Sequence, residues 1–295
     1  MGKLHNSVQG KILCFVGPPG VGKTSIGESI SKALGRKYVR IALGGATDTS
    51  TLKGHRRTYI GAVPGKIVGA LKTSEVENPV ILIDEVDKIG IRSSQGDPGS
   101  ALLEILDPEQ NHSFTDDFLD VPIDLSKVLF LCTANSLDTL HPAILDRMEI
   151  IEIAGYTHLE KRHILDNYLY PSAIKHAGLQ QYINSINISP EMRDYIIQNY
   201  AREAGVRSLK KFMNRISEKI AYKVVESTNP SEEKIDLDEK IIEDFIGTPI
   251  FASKRIYDVT PPGVVTGLAY NAYGGGILFL EATQAHYGSQ EEGKS

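Results

Sequence analysis

"CFVGPPGVGKTSIGESI", residues 14–30, changes its pattern twice within seventeen positions. An apolar run rich in strand formers, beginning at Ile12, predicts a buried β-strand. Glycine and proline then break the run, and apolar residues resume at the three-to-four-residue spacing of a helix. A strand, a glycine-rich turn and a helix in this order are typical of a βαβ unit.

The glycine-rich turn fits the pattern G-x-x-x-x-G-K-[ST] and lies between the predicted strand and helix, as that motif requires. Its glycines let consecutive backbone N–H groups surround phosphate oxygens at the positive end of the helix dipole. We expect Lys23 to reach the β and γ phosphates and Thr24 to give its hydroxyl to Mg²⁺. The sequence therefore predicts binding of a nucleoside triphosphate by Gly17, Pro18, Pro19, Gly20, Val21, Gly22, Lys23 and Thr24.

Two further apolar runs end in polar residues. "VILIDE" ends in Asp84 and Glu85, and adjacent acids that emerge from a buried strand imply a cation. We expect Asp84 to hold Mg²⁺ and Glu85 to polarise the attacking water, although one acid that simply caps the next helix is the alternative. "VLFLCTAN" ends in Asn135, which alone is more typical of a turn. Beside the other two motifs, we expect Asn135 to orient the same water or to contact the γ-phosphate.

Strand-like runs alternate with helical patterns up to about residue 154, which predicts an α/β domain with a parallel sheet flanked by helices over residues 1–154. Helical periodicity dominates residues 155–247, and residues 248–295 are rich in strand formers and glycine. The predicted strands are Ile12 to Val16, Tyr38 to Ala42, Val80 to Ile83, Val128 to Cys132 and Glu149 to Ile153. The predicted helices are Lys23 to Leu34, Gly65 to Lys72, Gly99 to Leu106, Leu159 to Ala177, Pro190 to Glu203 and Ser208 to Glu226.

Composition narrows the class of protein. The 295 residues are 41% hydrophobic, enough for a sizeable core, and the net charge of -5 argues against a dedicated nucleic-acid binder. No segment approaches the roughly 18 apolar residues of a membrane span, so we expect a soluble protein with no membrane partner. Cys14 and Cys132 lie in strand-like runs and are expected to be buried free thiols, which favours a reducing compartment.

The three motifs together resemble the AAA+ ATPases. The segments "GGATDTSTLKGHRRTYIGAVPGKIV", "ILIDEVDKIG", "GDPGSALLEILDPEQN", "LDRMEIIEIAGYT" and "REAGVRSLKKF" resemble the ATPase module of the Lon proteases. "YDVTPPGVVTGLAY" resembles the beginning of the Lon protease domain, and its sequence is most similar to that of the mitochondrial branch. The resemblance implies an AAA+ P-loop NTPase sheet flanked by helices, an α-helical lid domain over residues 155–247, and the beginning of a truncated protease domain over residues 248–295.

The resemblance also implies roles for single residues. Arg147 matches the arginine finger that reaches the γ-phosphate of a neighbouring subunit, and Arg207 matches the lid arginine that senses nucleotide in its own chain. A surface ion pair for Arg147 and ordinary solvation of a helix start for Arg207 are the alternatives. Tyr156 lies where a side chain can touch the adenine, but a plain core tyrosine would read the same way.

In this family the pair that corresponds to Tyr59 and Ile60 projects into a central pore and grips an extended polypeptide. The same two residues would also suit core packing, but the flanking glycine and His55-Arg56-Arg57 favour an exposed loop. Both the pore and the arginine that acts on a neighbour imply a ring.

The resemblance therefore implies an ATP-dependent serine protease of protein quality control, a hexamer that binds ATP or ADP with Mg²⁺ and threads unfolded or damaged polypeptide into a proteolytic chamber. It places the protein in the mitochondrial matrix, although no targeting peptide is present in these residues. The family's Ser-Lys dyad has no counterpart in the 295 residues, so we expect them to have no peptidase activity.

Two other classes stay open. A nucleic-acid motor or clamp loader uses the same ATPase core and would direct His55-Arg56-Arg57 or Lys210-Lys211 at phosphates; mitochondrial Lon proteins are associated with DNA, so DNA is a further partner that the resemblance suggests. A nucleotide-dependent scaffold that never hydrolyses ATP is the other class, and Glu85 and Arg147 argue against it.

Overall fold

The protein is described by a computed structural model over residues 12–45, 48–89, 98–226, 235–251, 257, 259–271 and 274–283. The chain divides into two compact units, Met1–Gly155 and Tyr156–Ser295. The division falls beside the boundary expected at residue 154. The boundary expected at residue 248 lies inside the second unit and stays a prediction.

The first unit contains a five-stranded parallel sheet. Its strands are β1 (Ile12–Val16), β2 (Tyr38–Ala42), β3 (Val80–Asp84), β6 (Leu129–Ala134) and β7 (Met148–Glu152), in the order β2-β3-β6-β1-β7. A short antiparallel pair, β4 (Phe114–Thr115) with β5 (Pro122–Ile123), lies outside this sheet. All five strands overlap their predicted positions to within two residues. The inner strand β3 is buried at every position, and a strand buried on both faces reads as a continuous apolar run.

Helices cover the sheet. Alternate residues of β3 belong to different clusters, Ile81 and Ile83 to the larger and Val80 and Leu82 to a smaller one with Phe15 and Leu131. The two clusters correspond to the two faces of the sheet, because successive side chains of a strand point in opposite directions. This α/β architecture confirms the predicted fold class. The helices of this unit are α1 (Lys23–Leu34), α2 (Ser50–Lys53), α3 (Lys66–Ser74), α4 (Pro98–Leu106) and α5 (Pro142–Leu145), with single 3₁₀ turns at Val86–Lys88 and Asn111–Ser113.

The second unit begins with helices around a separate core. The helix predicted from Leu159 to Ala177 is α6 (His158–Ile164) and α7 (Tyr170–His176), joined by a π-helical turn at Leu165–Leu169. Pro171 explains the wide turn, because proline has no N–H and its ring clashes with the carbonyl four residues earlier. The other elements are a 3₁₀ segment (Gln180–Ser185), α8 (Pro190–Tyr200), α9 (Arg207–Glu226), α10 (Glu239–Ile246), and the short parallel pair β8 (Ile186–Asn187) and β9 (Ile235–Asp236).

Two long strands complete the described part of the chain. β10 (Val264–Asn271) pairs antiparallel with β11 (Gly274–Glu281), from Val264 opposite Glu281 to Asn271 opposite Gly274. They account for the strand-forming composition noted beyond residue 248. Within the described residues, no helix combines the length and the apolar content that crossing a membrane requires.

Candidate nucleotide-binding site

Three motifs meet at one edge of the sheet. The glycine-rich loop follows β1, Asn135 follows β6, and Asp84 ends β3, and these strands are neighbours in the order β3-β6-β1. Because the strands are parallel, their carboxyl ends lie at the same edge, where α/β sheets bind ligands. The sheet therefore brings together the residues that the sequence placed in three separate segments.

The glycine-rich loop depends on its glycines for physical reasons. Gly20 and Gly22 have φ angles of 84° and 87°, in the left-handed region where a side chain adds strain. Gly17 packs closely against Ile153, the residue that follows the neighbouring strand β7, and a Cβ atom on Gly17 would lie 2.2 Å from the carbonyl oxygen of Ile153. The loop leads directly into α1 at Lys23, so the N–H groups of the first helical turn face the same place.

Lys23 holds the loop and the end of β6 together. Its Nζ donates to the carbonyl oxygens of Gly17 at 2.6 Å and Pro18 at 2.9 Å, and to Oδ1 of Asn135 at 2.9 Å. Burial lowers the pKa of Lys23, and the carboxylates around it, Asp87 foremost, act in the opposite direction. The contact places Lys23 and Asn135, two predicted phosphate-contacting residues, side by side.

Asp84 is buried and fully engaged. Thr133 donates its hydroxyl to Oδ1, while Arg40 donates from Nε to Oδ2 at 2.8 Å and brings Nη2 to 2.5 Å from the same oxygen. The Thr24 hydroxyl also points at Oδ2, at 3.5 Å. The bound guanidinium shows that Oδ2 accepts a cationic partner. In nucleotide sites Mg²⁺ is coordinated by few protein ligands, such as one carboxylate and one hydroxyl, together with the substrate phosphates. Thr24 and Asp84 therefore fit the predicted magnesium site.

Glu85 follows β3 with backbone dihedral angles that residues other than glycine rarely adopt. Its φ of 60° and ψ of 49° are left-handed, and its N–H donates to the Thr133 hydroxyl at 3.1 Å. Its carboxylate lies against Gly44, where a Cβ would come within 2.6 Å of Oε2. Backbone strain of this kind is kept where the surroundings impose it, often at functional sites. The turn separates the exposed Glu85 carboxylate from the buried one of Asp84.

Arg147 is held by its own unit. Its Nη1 donates to the carbonyl oxygen of Ala143 at 2.9 Å, and its Nη2 pairs with Oδ2 of Asp107 at 2.9 Å. Asp107 is buried and also accepts from the N–H of Glu109 at 3.0 Å and from Gln110 at 2.9 Å. The Glu109 amide and the Arg147 guanidinium lower the pKa of Asp107. Both contacts are made by the guanidinium at the tip of the Arg147 side chain, so within its own unit Arg147 forms the ion pair that was the alternative to the arginine-finger role. Its action on a neighbouring subunit stays a prediction.

The remaining predicted residues lie away from these contacts or in the other unit. Tyr59 and Ile60 are on the surface of the first unit, with exposed fractions of 65% and 107%. Core packing, the alternative for this pair, is therefore excluded. Tyr156 and Arg207 belong to the second unit; Tyr156 is half-buried, and Arg207 is exposed at the start of α9. Their contacts with nucleotide stay predictions.

The sequence reading did not identify three residues that arrange the site. Arg40 and Thr133 bind Asp84, and Asp107 binds Arg147. Two of them carried a signal, because a charged residue in "YVRIA" and a hydroxyl in "LFLCTA" interrupt apolar strands. Cys14 and Cys132 are buried free thiols, as predicted, and burial raises the pKa of Cys14 to about 11.

Comparison with known proteins follows the same division of the chain. The model for "ATPase family associated with various cellular activities (AAA)" matches residues 13–156. The model for "Lon protease AAA+ ATPase lid domain" matches residues 175–245, and that for "Lon protease (S16) C-terminal proteolytic domain" matches residues 236–292. The chain belongs to the Lon protease family. It carries the ATPase and lid regions of a Lon protease and the start of its proteolytic region.

Individual Lon relatives align along nearly the whole chain. The mitochondrial Lon protease homologs of Homo sapiens and of Ostreococcus lucimarinus are each 53% identical, over 95% and 96% of this chain. The Lon protease of Chlamydia muridarum is 52% identical over 96% of it. The aligned residues are 29%, 30% and 35% of the lengths of these three proteins, so the chain spans about a third of each.

Proposed function

We propose that this chain binds and hydrolyses ATP with Mg²⁺ and that, in the whole protein, hydrolysis drives the unfolding and threading of damaged polypeptide into a proteolytic chamber. The observation that carries the ATPase proposal is the convergence of Lys23, Asn135, Thr24 and Asp84 at one edge of the sheet. Lys23 and the N–H groups of the loop supply positive charge for phosphates. Thr24 and Asp84 would hold Mg²⁺, which when bound neutralises charge on the phosphates.

Glu85 is the proposed general base for the attacking water, and Asn135 orients that water or the γ-phosphate. Glu85→Gln keeps the shape of the side chain but removes the carboxylate, so ATP binding should persist while turnover falls at least about a hundredfold. A matched control is Glu77→Gln, which changes an exposed acid that pairs with Lys127 at the surface. ATP binding is measured by fluorescence with a labelled nucleotide, and turnover by phosphate release. Unchanged turnover in Glu85→Gln would remove Glu85 from this role.

Arg147 is proposed to act on the nucleotide of a neighbouring copy. Arg147→Ala and Glu85→Gln chains should each be inactive alone. Mixing them should restore part of the turnover, because some sites then combine an intact Glu85 with an intact Arg147 from the adjacent chain. Turnover per chain should also rise with protein concentration. A mixture as inactive as its components would contradict action between chains.

The polypeptide is proposed as the moved substrate, gripped at Tyr59 and Ile60, and a hexameric ring is the proposed assembly. Unfolded polypeptide should raise the ATPase rate, with single-stranded DNA as a parallel arm. Stimulation by DNA alone, weakening with salt, would favour the nucleic-acid motor instead.

We propose the mitochondrial matrix as the compartment, because several similar proteins are named as mitochondrial homologs. A Chlamydia relative of nearly equal identity makes a bacterial cytoplasm the alternative. Fractionation of source cells with an antibody to this chain decides between them.

A further inference from the structure

An exposed loop with an apolar tip projects from the first unit. We call residues 55–63 the tip loop. The N–H of His55 donates to the carbonyl oxygen of Val63 at 3.1 Å and closes the loop at its base. Tyr59 accepts from the N–H of Ala62 at 3.2 Å, and Gly61 turns with a φ of 81°. Apolar side chains in water at the end of an ordered loop are typical of a contact surface.

Arg57 ties the side of the tip loop to a second segment, residues 116–120, which we call the Asp116 turn. Its Nε donates to the carbonyl oxygen of Phe118, and its Nη2 donates to that of Leu119 at 2.9 Å. The guanidinium carbon also lies 5.5 Å from the centre of the Phe118 ring. A planar guanidinium that binds two consecutive carbonyls and a ring face fixes orientation as well as distance.

Asp116 ties the same turn to the far end of the tip loop. It is fully buried, and its Oδ1 accepts from the N–H groups of Phe118 at 2.9 Å and Leu119 at 3.1 Å. Its Oδ2 accepts from the N–H of Gly65 at 2.8 Å. Three N–H donors compensate a buried carboxylate without a cation. One side chain thus joins the end of the tip loop to the segment that Arg57 grips.

Backbone packing leaves little freedom where the tip loop is anchored. A Cβ on Gly65 would lie 2.0 Å from the carbonyl oxygen of Leu52, and a Cβ on Gly54 would lie 2.8 Å from the N atom of Gly65. The N–H of Asp117 donates to the carbonyl oxygen of Lys53 at 2.7 Å. The base of the loop is therefore fixed from both sides while its tip is exposed.

We infer that Arg57 and Asp116 are positioning residues that hold the tip loop in the orientation that presents Tyr59 and Ile60 to an extended polypeptide. The inference rests on the proposed function. A preorganised loop binds more tightly because less ordering entropy is lost on contact. Arg56, the exposed neighbour, has no side-chain hydrogen bond, ion pair or ring contact within the described residues, so two adjacent arginines have different roles.

The test compares Arg57→Gln with Arg56→Gln, because both remove one positive charge from the same loop. The probe is a fluorescein-labelled, reduced and carboxymethylated polypeptide, and its binding is measured by anisotropy with ATP and Mg²⁺ present. Arg57→Gln should weaken binding at least about tenfold, because it removes the charged donor of the hydrogen bonds to Phe118 and Leu119, and Arg56→Gln should change it less than about twofold. Arg57→Lys keeps one donor and should recover part of the loss.

Hydrogen exchange supplies a readout that does not require the polypeptide. In Arg57→Gln the amides of His55, Tyr59 and Ala62 should exchange faster, while those of β3 stay unchanged; in Arg56→Gln none should change. Equal polypeptide affinities of wild type and Arg57→Gln would overturn the inference, as would equal weakening by both Gln variants. If wild type binds no polypeptide, the threading function fails, and unchanged exchange in Arg57→Gln would separately overturn the anchoring. If both Gln variants instead weaken binding of labelled single-stranded DNA, the loop serves nucleic acid and the inference falls.

Discussion

Replacing Gly65 by alanine tests the packing at the base of the tip loop. Gly65 has a φ of -66° and a ψ of 161°, an extended conformation that alanine adopts without strain, so any cost is purely steric. The added Cβ would lie 2.0 Å from the carbonyl oxygen and 2.6 Å from the carbonyl carbon of Leu52, and 2.8 Å from the N atom of Gly54. All three are backbone atoms, which cannot rotate away. The segments must separate by roughly 1 Å, and we expect a loss of about 3 kcal/mol in the free energy of unfolding.

Gly69 is the matched control. It lies inside α3, four positions further along, and a Cβ there meets nothing within 4 Å. Gly69→Ala should stabilise the protein by about 0.5–1 kcal/mol, because alanine loses less conformational entropy in a helix. The two substitutions add the same methyl group and should have opposite effects.

Differential scanning calorimetry measures both variants and can separate the transitions of the two units. For a unit of this size about 2–4 °C accompany each kcal/mol, so Gly65→Ala should lower Tm by about 6–12 °C, and Gly69→Ala should raise it by about 1–4 °C. A Gly65→Ala Tm within about 1 °C of wild type would refute the packing argument.

Two further predictions concern stability. The pKa of Asp107 is held below its ordinary value of 3.8 in the folded state. The stabilisation from the ionised carboxylate is therefore complete above pH 3.8 and is lost as the pH falls through the lower pKa of the folded state. Asp107→Asn weakens the pair with Arg147 and should lower the free energy of unfolding by about 1–3 kcal/mol at pH 7 and by less at pH 3, measured by urea unfolding. The Thr157 hydroxyl accepts from the N–H of Glu160, and the Glu160 carboxylate accepts from the N–H of Thr157. Thr157→Ala should therefore destabilise the second unit by about 1 kcal/mol, while Thr157→Ser should stay near wild type. Equal losses of both variants in a thermal melt would contradict a capping role.

The sequence predicted the sheet because its signals are local. "VILID" is buried at every position, and four consecutive apolar residues in a chain with βαβ alternation favour an inner strand. The proximity of Lys23 to Asn135 could also be predicted, because motifs at the carboxyl ends of neighbouring parallel strands lie close together. The strands of the sheet, and the meeting of the motifs at their ends, could thus be predicted from short segments of sequence.

α10 (Glu239–Ile246) was missed, although its signals were present. Asp238 accepts from the N–H of Ile241 as an N-cap, Gly247 follows the last turn, and the buried Ile242, Phe245 and Ile246 lie on one face. The helix is only eight residues long, and its many acids hide that face in an average over the segment. Capping residues would have predicted it better than composition.

The arrangement around the charged residues depends on contacts between distant segments. Arg40 and Asp84 are 44 positions apart, Arg147 and Asp107 are 40, and Gly65 and Asp116 are 51. A buried acid needs a partner, and this much follows from the apolar segments that surround it in the sequence. Which partner it finds depends on strand register and loop packing, which act through geometry.

The contacts of Arg57 show that the basic run "HRR" is not one functional unit. Three consecutive basic residues suggest a patch for phosphates, yet Arg57 uses its donors on two carbonyl oxygens and a ring face of its own unit. Those donors cannot bind a phosphate without breaking these contacts. A basic run therefore counts toward nucleic-acid binding only for the side chains that the fold leaves unengaged, and in this loop the Nε and Nη2 donors of Arg57 are already engaged.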